Sequence, residues 1–405
     1  MNKYTILIAI SILLISCASK IDDPFNDDPV FEYNKKSATF IETNNSFGLD
    51  LFKIVNRDED KPNLMISPSS ISIALGMAYN GSESSTKQAF EELLNYDGLT
   101  REEINEMTRE LISVLVTNSE GNLLEIANSI WYRENFPVLQ EFIDLNSTNF
   151  NAEVHELDFS DASAVPTINN WVSRKTHDKI DKIIEELDPE TMMILINALY
   201  FNCLWDLEFN PDNTQSQDFL TEGGGVFGSV EMMTIESEFN AYSTSDFSAV
   251  ELPYKNDKFS MFLFLPSQQS SVDELIEKLD GETWNSWMAG FEKANKLNVG
   301  LPRFEFDYDK SLRAPLMEMG LDIAFTDDAD FSGISAIDLL ISDVLHKTYI
   351  KVNEEGTEAA AVTAIIFETT SIGPSIWFNR PFMFAISENS SNSILFIGKV
   401  SEPAY

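Results

Sequence analysis

The chain has 405 residues, enough for one large domain or two to three average ones, and 43% of them are apolar, so it can bury a sizeable core. Its 66 acidic residues outnumber 27 basic ones and give a formal net charge of −39. A surface this acidic repels nucleic acid, anionic membranes and heparin-like polyanions, which excludes proteins that bind such partners through charge.

The first residues have the pattern of an export signal with a lipid attachment site. Lys3 provides a positive charge, and the apolar run Tyr4–Ile15 is too short to cross a bilayer as a helix. The run ends in the tetrapeptide Leu14-Ile15-Ser16-Cys17, which resembles the bacterial lipobox. We therefore predict a signal peptide over residues 1–16 and lipidation at Cys17, with an ordinary secretory peptide as the alternative.

The predicted lipid would hold the protein at the cell envelope without a transmembrane helix. Ala18 follows the cysteine, which by resemblance to sorted lipoproteins favours the outer membrane or the cell surface. Residues 17–34 then form an acidic tether that contains two prolines. No second linker interrupts residues 35–405, which we predict to be a single domain.

Beyond the tether, helical and strand-like patterns follow one another in an irregular order. Apolar residues from Phe40 to Val55 recur at helical spacing, and Ser67-Pro68-Ser69-Ser70 precedes an apolar helix from Ile71 to Tyr79. Two later helices are predicted over Val165–Ile184 and Ser271–Leu279. Alternating or wholly apolar runs predict strands over Leu123–Arg133, Met193–Cys203, Ala249–Tyr254, Phe259–Pro266, Leu297–Phe306, Pro381–Ser387 and Ile394–Val400. Because no βαβ repeat occurs, the predicted fold class is α+β.

The sequence offers little catalytic chemistry. His155, His177 and His346 lie outside any HExxH frame, and no cysteine–histidine cluster has zinc spacing. There is no GxSxG or GxxxxGKS motif, and the acidic run at 327–330 lacks the glycine and distal glutamate of a calcium loop. Cys203 lies in an apolar run and is predicted to be a buried thiol. We therefore predict no enzyme, metal site or cofactor.

A segment near the C-terminus has a composition suited to both a loop and a strand. It follows the strand-like run Lys347–Val352 and reads Glu354-Glu355-Gly356-Thr357-Glu358-Ala359-Ala360-Ala361. In an extended chain, alternate residues from Thr357 to Phe367 form one uncharged face, while Glu358 and Glu368 fall on the other. Such a segment can be exposed as a loop and can also enter the middle of a sheet. An alanine-rich helix is the alternative.

Five motifs, in order along the chain, resemble those of the serpin family over nearly all of residues 35–405. They are Asn63-Leu-Met-Ile-Ser-Pro-Ser-Ser-Ile-Ser72, Asn197-Ala-Leu-Tyr-Phe-Asn-Cys-Leu-Trp205, Leu301-Pro-Arg-Phe304, the segment from Glu354 to Ala361, and Phe378-Asn-Arg-Pro-Phe-Met-Phe384. Two departures occur: Asn202-Cys203 replaces the usual Lys-Gly, and Asp178 stands where Gly or Asn is common.

The resemblance implies a serpin fold with three β-sheets, about nine helices and an exposed C-terminal reactive loop, which can insert into a sheet as a new strand. It implies that residues 354–361 form the loop hinge. It further implies a hydrogen-bonded shutter behind the central sheet formed by Ser67, Ser70, Asn197 and His346. Trp205 would cover the breach where the loop first enters, and Arg303 would pair with Glu354 at the top of the sheet.

The resemblance also implies a suicide inhibitor that traps a serine protease as an acyl-enzyme when the cut loop inserts. Counting fourteen residues on from Gly356 places the reactive bond at Thr370–Ser371. Threonine suits the shallow specificity pocket of elastase-like or subtilisin-like proteases. A shift to Thr369 would change little, whereas cleavage after Phe367 would give a chymotrypsin-like preference with a hinge three residues short.

The main alternative is a non-inhibitory serpin that acts as a cell-surface binding protein; an undetected enzyme and an inert coat protein or adhesin are further alternatives. The expected partners are a target serine protease, bound covalently, and a membrane, reached through the N-terminal lipid. No nucleic acid partner is expected. We expect a monomer, with loop–sheet polymers as a hazard because an open sheet accepts any matching strand.

Overall fold

The computed structural model of this chain describes residues 35–188, 190–358 and 374–405. Several sequence predictions lie outside these residues. They are the signal peptide, the lipidated Cys17, the tether, Ala359, Ala360 and Ala361 of the hinge, and the bond Thr370–Ser371.

Nine α-helices lie within the described residues. They are α1 (Lys35–Arg57), α2 (Pro68–Tyr79), α3 (Ser84–Leu93), α4 (Arg101–Leu115), α5 (Gln140–Phe150), α6 (Ala164–Lys175), α7 (Val272–Glu277), α8 (Gly281–Met288) and α9 (Arg313–Leu316). Helix α2 begins as its sequence predicts, with Pro68 in the first turn and the Ser67 hydroxyl accepting a hydrogen bond from the Ser70 N–H.

The helix predicted over Val165–Ile184 is wrong in its second half. Helix α6 ends at Lys175, and His177 and Asp178 then adopt left-handed backbone angles with φ of 50° and 62°. A left-handed φ lies outside the range of a right-handed helix, so the helix ends here whatever the local helical propensity. Such a φ is favourable for Gly and tolerated by Asn and Asp. The same geometry explains why glycine or asparagine is common at the position of Asp178.

Sixteen strands lie within the described residues. They are β1 (Asn63–Ile66), β2 (Thr117–Ser119), β3 (Asn122–Arg133), β4 (Ala152–Leu157), β5 (Met193–Leu204), β6 (Gln215–Leu220), β7 (Val226–Ser243), β8 (Phe247–Pro253), β9 (Phe259–Pro266), β10 (Glu292–Pro302), β11 (Phe304–Ser311), β12 (Leu345–Val352), β13 (Gly356–Thr357), β14 (Ser375–Trp377), β15 (Phe382–Glu388) and β16 (Ser393–Val400).

The strands pair into two continuous hydrogen-bonded networks. A seven-stranded sheet has the order β11-β12-β13-β5-β3-β2, with β4 paired to β3. A nine-stranded network has the order β1-β16-β15-β9-β8-β7-β10-β14, with β6 paired to β7. The second network joins two sheets because β7 pairs with β6 and β10 along most of its length and with β8 only at its end. The expected three-sheet arrangement is thus present, with two of the sheets continuous through β7.

The single strand predicted over Leu297–Phe306 is two strands in the structure. β10 ends at Pro302 and pairs with β7, whereas β11 begins at Phe304 and pairs with β12 in the other network. Arg303 lies between them and donates its backbone N–H to the Glu231 carbonyl. An unbroken apolar and alternating pattern does not reveal a change of sheet, because side-chain periodicity is the same on both sides of the break.

The main core lies between the sheets and helices α1 and α2, and the C-terminal strands β15 and β16 are fully buried as their apolar runs predict. A second, smaller cluster beneath α6 is built around Trp131, Ile168 and Trp171. The predicted α+β fold class is confirmed. None of the described helices has the length and apolar character required to span a bilayer.

Candidate functional site

The hinge already occupies a place inside the seven-stranded sheet. Strand β13, Gly356–Thr357, lies between β12 and β5: Thr357 is in register with Val352 on one side and Cys203 on the other, and Gly356 is in register with Leu204. In the sheet order, β5 and β12 are not neighbours, and β13 separates them. The chain that continues from Thr357 therefore leaves from a point between two strands of the sheet.

Glycine is required at position 356 by the close approach of β5. A Cβ on Gly356 would lie 2.8 Å from the Cα of Leu204 and 2.9 Å from the carbonyl carbon of Cys203, and it would also meet the Cys203 oxygen. All three are backbone atoms, which cannot turn aside as a side chain can. The Asn353 side chain holds the turn before it by accepting hydrogen bonds from the Glu355 and Gly356 N–H groups at 3.0 and 3.2 Å.

Thr357 is buried, with 3% of its surface exposed, and its hydroxyl lies 2.6 Å from the Tyr254 hydroxyl. Tyr254 is itself fully buried and stacks on Trp205, so burial raises the pKa of its phenol well above the usual value and the group stays neutral. The site therefore satisfies one hydroxyl with another, and among the described residues neither hydroxyl has a charged hydrogen-bond partner.

Glu358 marks the point at which the hinge leaves the strand. Its φ of 61° is left-handed, and its carboxylate pairs with Lys179 at 2.9 Å and accepts a hydrogen bond from Tyr200 at 3.0 Å. Lys179 belongs to the turn that follows α6 and also lies over the Tyr349 ring. Thr357 and Glu358 thus point to opposite faces of the sheet, one into the core and the other toward the segment after α6.

Trp205 covers the region where the hinge enters. The indole is 1% exposed, donates from Nε1 to the Asn353 carbonyl at 3.0 Å, and stacks on Tyr254 with ring centroids 4.5 Å apart. Its backbone N–H donates to the Glu355 carbonyl at 2.8 Å. The tryptophan therefore binds the hinge through both its side chain and its backbone.

Arg303 and Glu354 form an ion pair at the top of the sheet. The Arg303 Nε lies 2.9 Å from both carboxylate oxygens, and Nη2 lies 2.6 Å from Oε1. Thr214 also donates to this carboxylate, whose side chain is only 6% exposed. The hydrogen bonds from Arg303 to Glu354 raise the pKa of the guanidinium further. The first hinge residue is thus fixed to the segment between β10 and β11.

Removing the cation from this pair should destabilise the protein. Arg303→Met leaves the buried Glu354 carboxylate without its counter-ion, and the loss of one partner of a buried pair costs about 3 kcal/mol. We expect a clear fall in the unfolding midpoint measured in urea. The matched control is Lys293→Met, which breaks an ion pair with Glu238 in which both side chains are more than half exposed, and which should change stability by less than about 1 kcal/mol. Equal midpoints for the two variants would contradict the role given to Arg303.

The predicted shutter residues form two groups of contacts, which the hydrogen bond from the Ser70 N–H to the Ser67 hydroxyl connects. In the first, His346 Nε2 accepts a hydrogen bond from the Ser67 N–H at 3.1 Å, and the imidazole is buried. In the second, the Ser70 hydroxyl donates to the Asn197 oxygen, and Asn197 donates to the Asn128 oxygen at 2.6 Å. Throughout the described part of the chain, no hydrogen bond joins His346 to Asn197, so helix α2 reaches β12 and β5 by different residues.

Asn128 was missed by the sequence analysis although it completes the second group. It lies on β3, pairs in register with Asn197 on β5, and donates its amide to the Phe150 carbonyl at 2.6 Å. The sequence shows only an asparagine within an alternating strand. If such an amide is buried it needs hydrogen-bond partners, but the sequence does not identify them.

Stability should fall on acidification because of His346. Burial lowers the pKa of this imidazole to about 4, below the ordinary value near 6.5, so the unfolded chain binds the proton more readily. The stabilising effect is present above pH 6.5 and is lost as the pH falls toward 4, by up to about 3 kcal/mol. Unfolding midpoints at pH 7 and pH 4.5 should differ more for the parent protein than for His346→Gln, and equal differences would contradict the role given to His346.

The described residues include the potential metal ligands and the thiol that the sequence analysis considered. No group of three or more histidine, cysteine or acidic side chains there could hold a metal ion. Cys203 is a buried, unpaired thiol, and burial raises its pKa, so it is not a nucleophile. The site buries the start of a strand. The Arg303–Glu354 ion pair, the Trp205 indole and the Thr357–Tyr254 hydroxyl pair hold the hinge in place.

The fold and this site together define a mixed α+β protein in which a short segment, Gly356–Thr357, lies as a strand between β12 and β5. The family model for serpin (serine protease inhibitor) matches residues 42–403. An uncharacterised serpin-like protein of Methanosarcina acetivorans is 32% identical, covering 100% of this chain and 98% of its own. Iripin-2 of Ixodes ricinus is 32% identical over 91% of this chain and 94% of its own.

Among solved structures, the native state of tengpin, a thermophilic serpin, superposes with a TM-score of 0.83 at 34% identity, covering 92% of this chain and 96% of that one. The chain belongs to the serpin family. Members of this family are mostly protease inhibitors and not catalytic enzymes.

Proposed function

We propose that this protein is a suicide inhibitor of serine proteases with a preference for small residues before the cut bond. The observation that carries the proposal is the position of Thr357, buried between β12 and β5 at the start of the loop. Because the first residue of the loop already lies in the sheet, insertion after cleavage can continue from that residue between the same two strands. The uncharged face from Thr357 to Phe367 allows the following residues to enter in turn.

The mechanism is a race between insertion and hydrolysis. A protease serine attacks the carbonyl of Thr370, the Thr370–Ser371 bond breaks, and an acyl-enzyme forms. Insertion of the cut loop then carries the protease away and distorts its active site before water can release it. Trapping about 99% of complexes requires insertion to be about 100-fold faster than deacylation, which is a barrier difference of about 2.7 kcal/mol.

Threonine at position 370 favours elastase-like or subtilisin-like targets because it is small and β-branched. It would leave the acid of a trypsin-like pocket unpaired and a deep aromatic pocket underfilled. We also propose that the protein is anchored at the cell envelope through Cys17, which the sequence Leu14-Ile15-Ser16-Cys17 supports. Mass spectrometry of the mature N-terminus would detect the diacylated cysteine.

The decisive experiment mixes the chain from Ala18 onward with elastase and separates the products by denaturing electrophoresis. That chain retains every helix and strand described above. A band at the summed mass, with mass spectrometry placing the cut after Thr370, is the expected result. Cleavage at Thr370 without that band would contradict inhibition and support the alternative of a non-inhibitory cell-surface binding protein. Absence of cleavage by both elastase and subtilisin would contradict the proposed specificity.

A further inference from the structure

Several large apolar side chains are exposed on the segment that leads into β12. Ile337, Leu340 and Leu345 are 51%, 39% and 45% exposed. Leu139 is 43% exposed, and its N–H donates to the carbonyl of Ile334 at 2.8 Å, which joins it to the same segment. We call these four exposed side chains, at positions 139, 337, 340 and 345, the apolar rim.

The residues between the exposed side chains anchor this segment to the fold. Leu339, Ile341 and Val344 pack against the main core. The Ile341 N–H donates to the Ala324 carbonyl, and the Leu312 N–H donates to the Val344 carbonyl, both at 2.9 Å. The side chains of the apolar rim are not part of that core. An apolar surface that the fold holds in place without packing it is a candidate contact surface for another molecule.

The apolar rim lies at the end of the seven-stranded sheet opposite the hinge. Thr357 of the hinge is in register with Val352, the last residue of β12, and with Cys203, near the end of β5. β12 begins at Leu345, which is itself a rim residue, and β5 begins at Met193. Both strands therefore begin at the end of the sheet where the rim lies and finish at the hinge.

The placement of the protease rests on the proposed function, in which the cut loop continues β13 between β5 and β12. If the register of Thr357 continues, Ala364 comes to lie beside Leu345 and Phe367 beside Met193. Thr370 then lies three residues beyond the start of β5, a distance of about 10 Å. A protease bound covalently to Thr370 is thus carried to the end of the sheet that bears the apolar rim.

We propose that the apolar rim is the surface against which the trapped protease is held. Apolar side chains suit this partner, because a protease with a distorted active site exposes apolar surface that the intact enzyme buries. Contact between the two apolar surfaces opposes recovery of the active-site geometry. The rim therefore prolongs the lifetime of the acyl-enzyme and takes no part in the first attack on the loop.

The first test locates the protease in the covalent complex. In the chain from Ala18 onward, Cys203 is the only cysteine and its thiol is buried, so Leu340→Cys can be labelled selectively with benzophenone maleimide. The complex with elastase is irradiated, and mild alkali then hydrolyses the acyl ester but not the photochemical bond. We expect protease to remain attached to the labelled chain. The matched control is Val116→Cys, 40% exposed and next to β2 at the hinge end of the sheet, which should retain none.

The second test measures what the contact does. Ile337→Ser combined with Leu340→Ser should leave the rate of covalent band formation unchanged, because the rim lies at the opposite end of the sheet from the hinge. The rate at which active protease is released from the complex should rise at least about tenfold. Val116→Ser, the matched control, should release protease as slowly as the parent protein does.

Three results would overturn the proposal and leave protease inhibition standing. They are a covalent complex without a crosslink from position 340, a crosslink of equal yield from position 116, and an unchanged release rate in the double serine variant. A dimer of the free chain in analytical ultracentrifugation that the double serine variant abolishes would also overturn it, by assigning the rim to a second copy of the chain. Failure of the parent protein to form any covalent band would contradict the proposed function itself, and the role of the rim would fall with it.

Discussion

Thr357→Arg is expected to turn the protein from an inhibitor into a substrate of the same protease. The side chain at this position is 3% exposed and faces a neutral Tyr254 hydroxyl, so an arginine would be buried without a counter-ion. The cost of such a charge is about 3 kcal/mol or more. The barrier to insertion must lie about 2.7 kcal/mol below the barrier to deacylation, and the added charge removes all of that difference. The fraction of protease molecules that are trapped should therefore fall from nearly all to half or fewer.

The measurement is the number of inhibitor molecules consumed for each protease molecule inhibited, together with the covalent band on a denaturing gel. Thr357→Ser retains the hydroxyl and should behave as the parent protein does. Thr326→Arg adds the same charge at an exposed position and should also leave trapping intact. Undiminished complex formation by Thr357→Arg would contradict the requirement that the residue at position 357 lies buried between β12 and β5 when the loop inserts.

Gly356→Ala is the second change with a large expected effect. The added methyl group would lie within 3 Å of backbone atoms of Cys203 and Leu204, and the neighbouring strand cannot yield without losing its register. Overpacking of this kind costs about 1–3 kcal/mol, so the ratio of protease trapped to protease released should drop about fivefold or more.

The matched control for this substitution is Gly223→Ala, in the turn between β6 and β7, where the nearest atom to a new Cβ is the Thr221 hydroxyl at 3.9 Å. That variant should inhibit as the parent protein does. Full inhibition by Gly356→Ala would show that the hinge does not need to sit between β12 and β5 before cleavage.

Local sequence patterns predicted several elements closely, and two of the predictions that failed have identifiable causes. Strand β9 has the predicted bounds, and β3, β5, β15 and β16 differ from prediction by a residue or so at an end. The predicted helix over Val165–Ile184 failed after Lys175, because left-handed angles at His177 and Asp178 end a helix that helical propensity alone would continue. The predicted strand over Leu297–Phe306 failed at Arg303, where the chain passes from one sheet to the other.

At the hinge, the sequence identified the segment and the structure identified what holds it. Its composition showed which face is uncharged, and Thr357 is the residue found buried. Nothing in the order of residues indicated that Tyr254 would meet the Thr357 hydroxyl, that Lys179 and Tyr200 would hold Glu358, or that Asn128 would extend the contacts of Asn197. Each of these partners lies in a segment whose own pattern indicates only a strand or a turn.

The sequence by itself determined the α+β class, the membership of a family through its ordered motifs, and an uncharged face that can enter a sheet. These are properties of residue type and short-range spacing, and periodicity records them directly. Only the tertiary structure decided which side chains meet, because the contacts join residues far apart in the chain, such as Thr357 with Tyr254 across 103 positions and Ser67 with His346 across 279. Pairings at such separations depend on the order of strands in the sheet, which no local pattern contains.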